Sequence, residues 1–227
     1  MRTLIRLFSS LLGYNVYFVK RKQIDAKLLS SKEYEDKEWA QNKIAKRFES
    51  KNNMIFYNLV LSKVNSEIMD IKQRNICDMG CGNGVLINLI YNRFNPISIT
   101  GFDFSKEAIK IANQRGLKNV ICRIHDIYSK CEDKYDLIFC TEVLEHLEYP
   151  DIALKNIYES LSSSGIAFIT VPNGRLDFFE GHINFWSFTS WNIFLNKSLS
   201  ISSENIFSGI LDKNNMHLYA IIKKNAF

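Results

Sequence analysis

The 227-residue sequence has no run long and apolar enough to span a bilayer. Its most apolar early stretch is broken by Arg6, Ser9, Ser10 and Asn15. No small-x-small cleavage site follows, so that stretch does not read as a secretory signal. Internal repeats and low-complexity tracts are also lacking, which excludes repeat architectures. The five cysteines, Cys77, Cys81, Cys122, Cys131 and Cys140, are an odd number. Their C-x-x-x-C at 77–81 does not have zinc-ligand spacing. They read as small buried thiols of a reducing compartment, which points to the cytoplasm.

Surplus charge is missing from most of the chain. Residues 1–51 carry 12 basic and 6 acidic side chains, and the other 176 residues carry 17 and 18. The basic excess is therefore N-terminal. There Leu4, Ile5, Leu7, Phe8, Leu11 and Leu12 follow helical spacing, with Arg2, Arg6, Ser9 and Ser10 opposite. Two readings stand for residues 2–22. One is a helix packed on the domain or a poorly ordered leader. The other is an interfacial helix in peripheral contact with an anionic membrane. Residues 33–70 look helical, with Trp39, Ile44, Phe48, Ile55, Phe56, Leu59 and Val60 as candidate core positions.

What is present begins at Ile76-Cys77-Asp78-Met79-Gly80-Cys81-Gly82-Asn83-Gly84. An apolar run reaches an acidic residue, glycines follow at every second position, and Val85-Leu86-Ile87 opens a helical pattern. That reads as strand, tight turn and helix. Glycine is needed where φ is positive or where a ligand must approach without a Cβ in the way. A dinucleotide fingerprint, G-x-G-x-x-G, would need its third glycine at position 85, where valine stands. Further strands read at Ile97–Phe102, Val120–Ile124, Tyr135–Cys140 and, after a turn at Ser163-Ser164-Gly165, Ile166–Val171. Ser105 can cap the helix after the second strand. A late helix reads at 187–198, with strands at 200–209 and 216–224.

The D-x-G-x-G-x-G order resembles the first motif of the class I S-adenosylmethionine (SAM) dependent methyltransferases, over residues 70–225. The resemblance implies a Rossmann-like α/β fold. Its seven-stranded, mostly parallel sheet would carry one antiparallel strand, with helices on both faces. An N-terminal helical extension or lid (1–70) would precede the methyltransferase domain (71–227). It implies SAM as cofactor, cradled by Asp78, Gly80, Cys81, Gly82 and Gly84. Asp103, 19 residues after Gly84, would accept hydrogen bonds from the ribose hydroxyls. Phe104 would lie against adenine, Asp126 would take the adenine amino group, and Ile127 and Cys140 would flank the site. Arg47 and Lys51 could reach the cofactor carboxylate or the substrate, or be solvated charges on a helix face.

Glu142-Val143-Leu144-Glu145-His146-Leu147 resembles the ubiquinone-biosynthesis-type O-methyltransferases. Glu142, Glu145 and His146 stand at i, i+3 and i+4, and would share one face if the segment is helical. The E-x-x-E-H order also resembles the small-RNA terminal 2′-O-methyltransferases. By that resemblance Glu142, Glu145, His146 and the later His182 would hold a divalent Mg, Mn, Fe or Zn ion. The alternative places the two glutamates at a helix start and packs His146 against the fifth strand. Without a metal, His146 or His182 would be the general base. His125 and His217 have no comparable sequence neighbourhood. The expected acceptor is a hydroxyl on a small molecule, a glycan or a lipid-linked molecule. RNA is disfavoured by the near-neutral core. An NAD(P) oxidoreductase lacks its third glycine and a Tyr-x-x-x-Lys pair. A SAM-fold protein without turnover keeps the glycine turn, Asp103 and Asp126.

Overall fold

The computed structural model describes residues 36–37, 39–40, 43–68, 71–179 and 181–224. Segment 2–22, with its interfacial reading, lies outside them. Helices α1 (Lys43–Phe48) and α2 (Lys51–Glu67) precede the sheet. The elements then alternate as β1 (Asn75–Met79), α3 (Val85–Phe94), β2 (Ser98–Asp103), α4 (Lys106–Asn113), β3 (Val120–Ile124), β4 (Tyr135–Thr141), α5 (Pro150–Glu159) and β5 (Leu161–Pro172). Helix α6 (Phe188–Ser198) and the pair β6 (Ile206–Ile210) and β7 (His217–Lys223) close the chain.

One seven-stranded sheet results, in the order β3-β2-β1-β4-β5-β7-β6. Strand β7 is antiparallel to both its neighbours, and the other pairings are parallel. The sequence-based expectation for the fold holds. Side chains alternate between two cores because successive strand residues point to opposite faces. Ile76, Leu137 and Phe139 meet α2, α3 and α4 on one side. Cys77, Ile138, Cys140 and Ile169 meet α5 and α6 on the other. Local signals set the helix ends. Ser105 Oγ accepts from Ala108 N at 3.2 Å, Ser187 Oγ accepts from Ser190 N at 3.2 Å, and Pro150 opens α5. No described helix is long and apolar enough to cross a membrane.

Three expectations are corrected. Residues 163–165 are not a turn before the fifth strand but an irregularity inside it. Tyr135 pairs with Leu161 and Leu137 with Ile166, so extra residues of β5 are absorbed at a bulge. Strand β6 starts at Ile206, because a short 3-10 turn, Ser203–Asn205, occupies the preceding residues. On α2 the buried face is Phe56, Tyr57, Val60, Leu61 and Val64, while Ile55 and Leu59 are exposed. That buried stripe packs in one cluster with Ile76, Leu137 and the apolar residues of α3. Trp39 is buried as expected, and Phe48 is partly so.

Candidate active site

The carboxyl ends of β1, β2 and β4 open on a cavity of about 480 Å³. Its floor is the glycine turn. Gly80 and Cys81 donate their N–H groups to Phe102 O at 2.7 and 2.9 Å, tying the turn to β2. Gly80, Gly82 and Gly84 have φ of 82°, 51° and 72°, so all three lie in the region that favours glycine. A Cβ on Gly80 would come within 2.3 Å of Val143, and one on Gly82 would sit 3.2 Å from the Trp39 ring.

Asp103 ends β2 and does two jobs. Its Oδ2 accepts from Gly82 N and its Oδ1 from Ser105 N, both at 2.9 Å. Burial pushes it up to about 6, against the opposing effect of those N–H bonds. Asp78 is fully buried, its Oδ1 has no hydrogen-bond partner among the described residues, and burial raises its carboxyl well above the usual range. Two acidic groups at a cradle with no Cβ call for a ligand that brings donors or positive charge. Asp126 Oδ1 accepts from Tyr128 N at 2.9 Å, which fixes the loop after β3 on the cavity wall. Phe104 and Ile127 also line the cavity. So does His125, whose ring lies 4.8 Å from that of Phe102.

The segment after β4 does not form the expected helix. Glu142 takes φ 55°, a left-handed conformation that costs a non-glycine residue ~1–3 kcal/mol. Only Leu144–His146 then form a single 3-10 turn. The four expected metal residues are therefore split. Glu145, His146 and His182 offer ligand atoms within 4.8 Å of one another, and Glu142 is not part of that group. Glu145 Oε1 lies 3.8 Å from His146 Nε2 and 3.9 Å from His182 Nε2. The other ring nitrogens are committed. His146 Nδ1 meets Gly181 O at 3.1 Å, and His182 Nδ1 is hydrogen-bonded to Asp177. Both imidazoles donate from Nδ1, so both Nε2 atoms present lone pairs.

Glu145 is fully buried, and neither carboxylate oxygen has a hydrogen-bond partner among the described residues. Burial, then the nearby Glu142, raises its carboxyl well above the usual range. Burial and the adjacent His182 push His146 down to about 4, which keeps it neutral. One buried carboxyl and two imidazole Nε2 atoms thus converge, and no hydrogen bond reaches the carboxyl from the described residues. Glu142 faces elsewhere. Its Oε1 accepts from Thr170 Oγ1 at 3.0 Å, and its Oε2 lies 3.9 Å from His217 Nε2.

Residues 33–200 match a family model described as a methyltransferase domain. The chain belongs to the class I SAM-dependent methyltransferases. The ubiquinone biosynthesis O-methyltransferase of Rickettsia bellii is 31% identical over 127 residues, covering 53% of this chain and 51% of that protein. The corresponding protein of Coxiella burnetii is 27% identical over 121 residues, 51% of each chain. The chain spans about half the length of the curated relatives it matches. Among solved structures, the N-methyltransferase NodS of Bradyrhizobium japonicum, in complex with S-adenosyl-L-homocysteine, aligns with a TM-score of 0.65 at 17% identity, over 85% of this chain and 97% of that one. The methyltransferase domain of bacterial CtHen1 aligns with a TM-score of 0.59 at 19% identity, over 75% and 98%.

In this methyltransferase the cavity sets buried acceptors beside a cradle without Cβ atoms at the carboxyl edge of the sheet. Of the residues that the resemblance assigns to the cofactor, Asp78, Gly80, Cys81, Gly82, Asp103, Phe104, Asp126 and Ile127 line it. Cys140 does not. The alternation of β4 turns its side chain into the core beneath α5 and α6, where it is fully buried. Gly84 acts one step back, as the N-cap of α3. Arg47 stacks over the Phe179 ring at 4.9 Å, beside the histidine group. Sequence reasoning missed His125, His217, Asp177 and Asp212. Their partners are 5 to 75 positions away or across the sheet, and no local motif announces them.

Proposed function

We propose that this methyltransferase transfers the SAM methyl to a hydroxyl oxygen of a small molecule bearing two neighbouring hydroxyls. We also propose that Glu145, His146 and His182 hold a divalent cation beside that acceptor. The observation that carries the reading is the buried Glu145 carboxylate without a donor, facing two imidazole Nε2 lone pairs. A buried carboxylate without a partner is costly, and a cation removes that cost. The donor set, one carboxylate and two imidazoles, suits Mn²⁺, Fe²⁺ or Zn²⁺, and Mg²⁺ less well.

Bound SAM supplies an electrophilic methyl on a sulfonium, and a bound cation lowers the pKa of a hydroxyl beside it. The protein supplies position. The glycine turn and Asp103 set the cofactor's place, and Asp177 and the Gly181 carbonyl fix the two rings. Glycan and lipid-linked diols share the same acceptor chemistry. Residues 2–22 would bring the enzyme to an anionic membrane if its acceptor is lipid-linked.

The test is methyl transfer from labelled SAM to catechol and to fractionated cell extract. Activity should vanish with EDTA and return with one of the four ions. His146→Ala should lose turnover and keep SAM binding. Full activity in EDTA would overturn the cation, and methylation confined to amines or carbon would overturn the oxygen acceptor.

A further inference from the structure

The Glu145 group leaves one step of such a reaction without a residue. With Nδ1 of both imidazoles committed to Gly181 O and Asp177, and both Nε2 atoms facing the cation position, neither ring is free to remove a proton. We propose that Glu142 is the catalytic base, and that His217, held by Asp212, positions it and carries the proton away. This rests on the hydroxyl-acceptor reading above.

Four observations converge. Glu142 lines the cofactor cavity at the mouth of β4, between Thr141 and Val143. Its backbone sits at φ 55°, a strained conformation that persists only where the surroundings enforce it, and such residues concentrate at active sites. Its two oxygens are separately engaged. Thr170 Oγ1 donates to Oε1 at 3.0 Å, and His217 Nε2 stands 3.9 Å from Oε2. Behind them His217 is clamped. Its Nδ1 lies 3.1 Å from Asp212 Oδ2, its backbone N donates to the same oxygen at 2.8 Å, and its ring packs 4.6 Å from that of Phe56. Asp212 is fixed in turn by Asn214 N and Met216 N on Oδ1, at 2.8 and 3.2 Å. Asp212 therefore takes Nδ1–H, and Nε2, which faces Glu142, is the atom that carries the ring's second proton.

The electrostatics agree. Burial pushes Glu142 up to about 7, and His217 is the largest effect opposing that rise. Thr170 also opposes it, while Asp177 and Asp212 add to it. Glu145 from the following turn and Tyr57 from α2 also interact with Glu142. Burial works against ionisation of Asp212, but the backbone N–H groups of Met216 and His217 outweigh it and hold that carboxyl below its usual range. A base that titrates near neutrality is matched to a hydroxyl proton at working pH.

The step balances. The acceptor O–H breaks and its proton goes to Glu142 Oε2 as the oxygen forms its bond to the methyl carbon. The S–CH₃ bond breaks with its electron pair left on sulfur, giving a neutral thioether. The proton then passes to His217 Nε2 and to water, because the His217 side chain is 27% exposed.

The test has two arms. In full-length protein with ¹³C-carboxyl-labelled glutamate and saturating S-adenosylhomocysteine, the Glu142 resonance is identified by its absence in Glu142→Gln. Its titration should be centred near 7, and His217→Gln should move it up by about half a pH unit or more, because a favourable neighbour is lost. With catechol as probe acceptor, Glu142→Gln should lower kcat about 100-fold or more, with SAM affinity kept within about twofold. His217→Gln and Asp212→Asn should move the acid limb of the kcat profile upward. A purely structural role would lower the amount of folded enzyme without moving that limb. An unmoved Glu142 titration in His217→Gln, or a kcat of Glu142→Gln near wild type, overturns the proposal. If the wild-type enzyme leaves catechol unmethylated, the acceptor reading fails on its own. The carboxyl titration then decides between a coupled Glu142–His217 pair and its absence.

Discussion

Glu145 is a residue whose cost in the empty protein is part of its use. Burying an unpaired carboxyl function costs a few kcal/mol, and at neutral pH the group must either stay protonated or pay for its charge. Glu145→Gln should therefore raise the stability of the metal-free protein by ~1–3 kcal/mol at pH 7.5, read by urea unfolding. The same variant should lose the rise in Tm that added Mn²⁺ gives the wild type. A less stable variant would show that the carboxylate already has a partner. Asp103→Ala should weaken SAM binding by ~1.5–3 kcal/mol, and Gly82→Val should abolish it, both measured by calorimetric titration. The structure gives Gly82→Val a second cause, since the new side chain would meet the Trp39 ring at a backbone of positive φ. Unchanged affinity in both variants, with the fold intact, would remove the cofactor assignment. The places of Gly80, Gly82, Asp103 and Asp126 were legible in the sequence because each sits in a turn or at a strand end that local pattern marks. Asp212 and His217 were not, because Glu142 and His217 meet only when β7 is laid antiparallel on β5.

At the scale of elements, most strands and helices followed from apolar period and capping residues. The misses share a cause. Ser163-Ser164-Gly165 carries a true turn signal, yet pairing of Leu161 with Tyr135 on one side and Ile166 with Leu137 on the other keeps the strand continuous. A Cβ on Gly165 would lie 2.8 Å from Tyr135 O. Gly165→Val should thus destabilise the fold by ~1–3 kcal/mol in urea unfolding and leave the SAM affinity of the folded fraction unchanged. A neutral effect would mean that the bulge opens freely. The 142–146 segment failed as a helix for a comparable reason. Glu142 N is bonded to Thr170 O, and the backbone oxygen of Glu145 is taken by Ile183 N and Asn184 N, so tertiary partners replace the helical ladder.

Across the whole molecule, buried acids set the response to pH. Asp103 at about 6 and Glu142 at about 7 are both raised, and burial also holds Asp78 and Glu145 well above the usual carboxyl range. The native state therefore binds more protons than the unfolded chain once pH exceeds the unfolded carboxyl values near 4. Stability of the ligand-free protein should be greatest at the acid end of that window and fall as pH rises through about 7, by ~2–3 kcal/mol for each of Asp103 and Glu142. Urea midpoints at pH 5 and pH 8 test the sign, and saturating SAM with Mn²⁺ should flatten the slope. The N-terminal segment bears on another scale. If residues 2–22 are interfacial, binding to anionic vesicles should fall with added salt and disappear on deletion of 1–22, with SAM binding intact.

Trp39 lies over the glycine turn, stacked 5.3 Å from Phe48, and nearby Asp36 accepts from Ser105 Oγ and from Glu107 N at the start of α4. The other two tryptophans, Trp186 and Trp191, are packed with Phe194 in the opposite core. The protein thus carries one indole in the wall of the cavity, apart from the two packed in that core. Its emission is a built-in clock for nucleoside exchange. Stopped-flow traces should lose their amplitude in Trp39→Phe, and cutting the Asp36 tether with Asp36→Ala should quicken the departure of S-adenosylhomocysteine. Because product release limits turnover in many enzymes, that tether would set how fast this one can run.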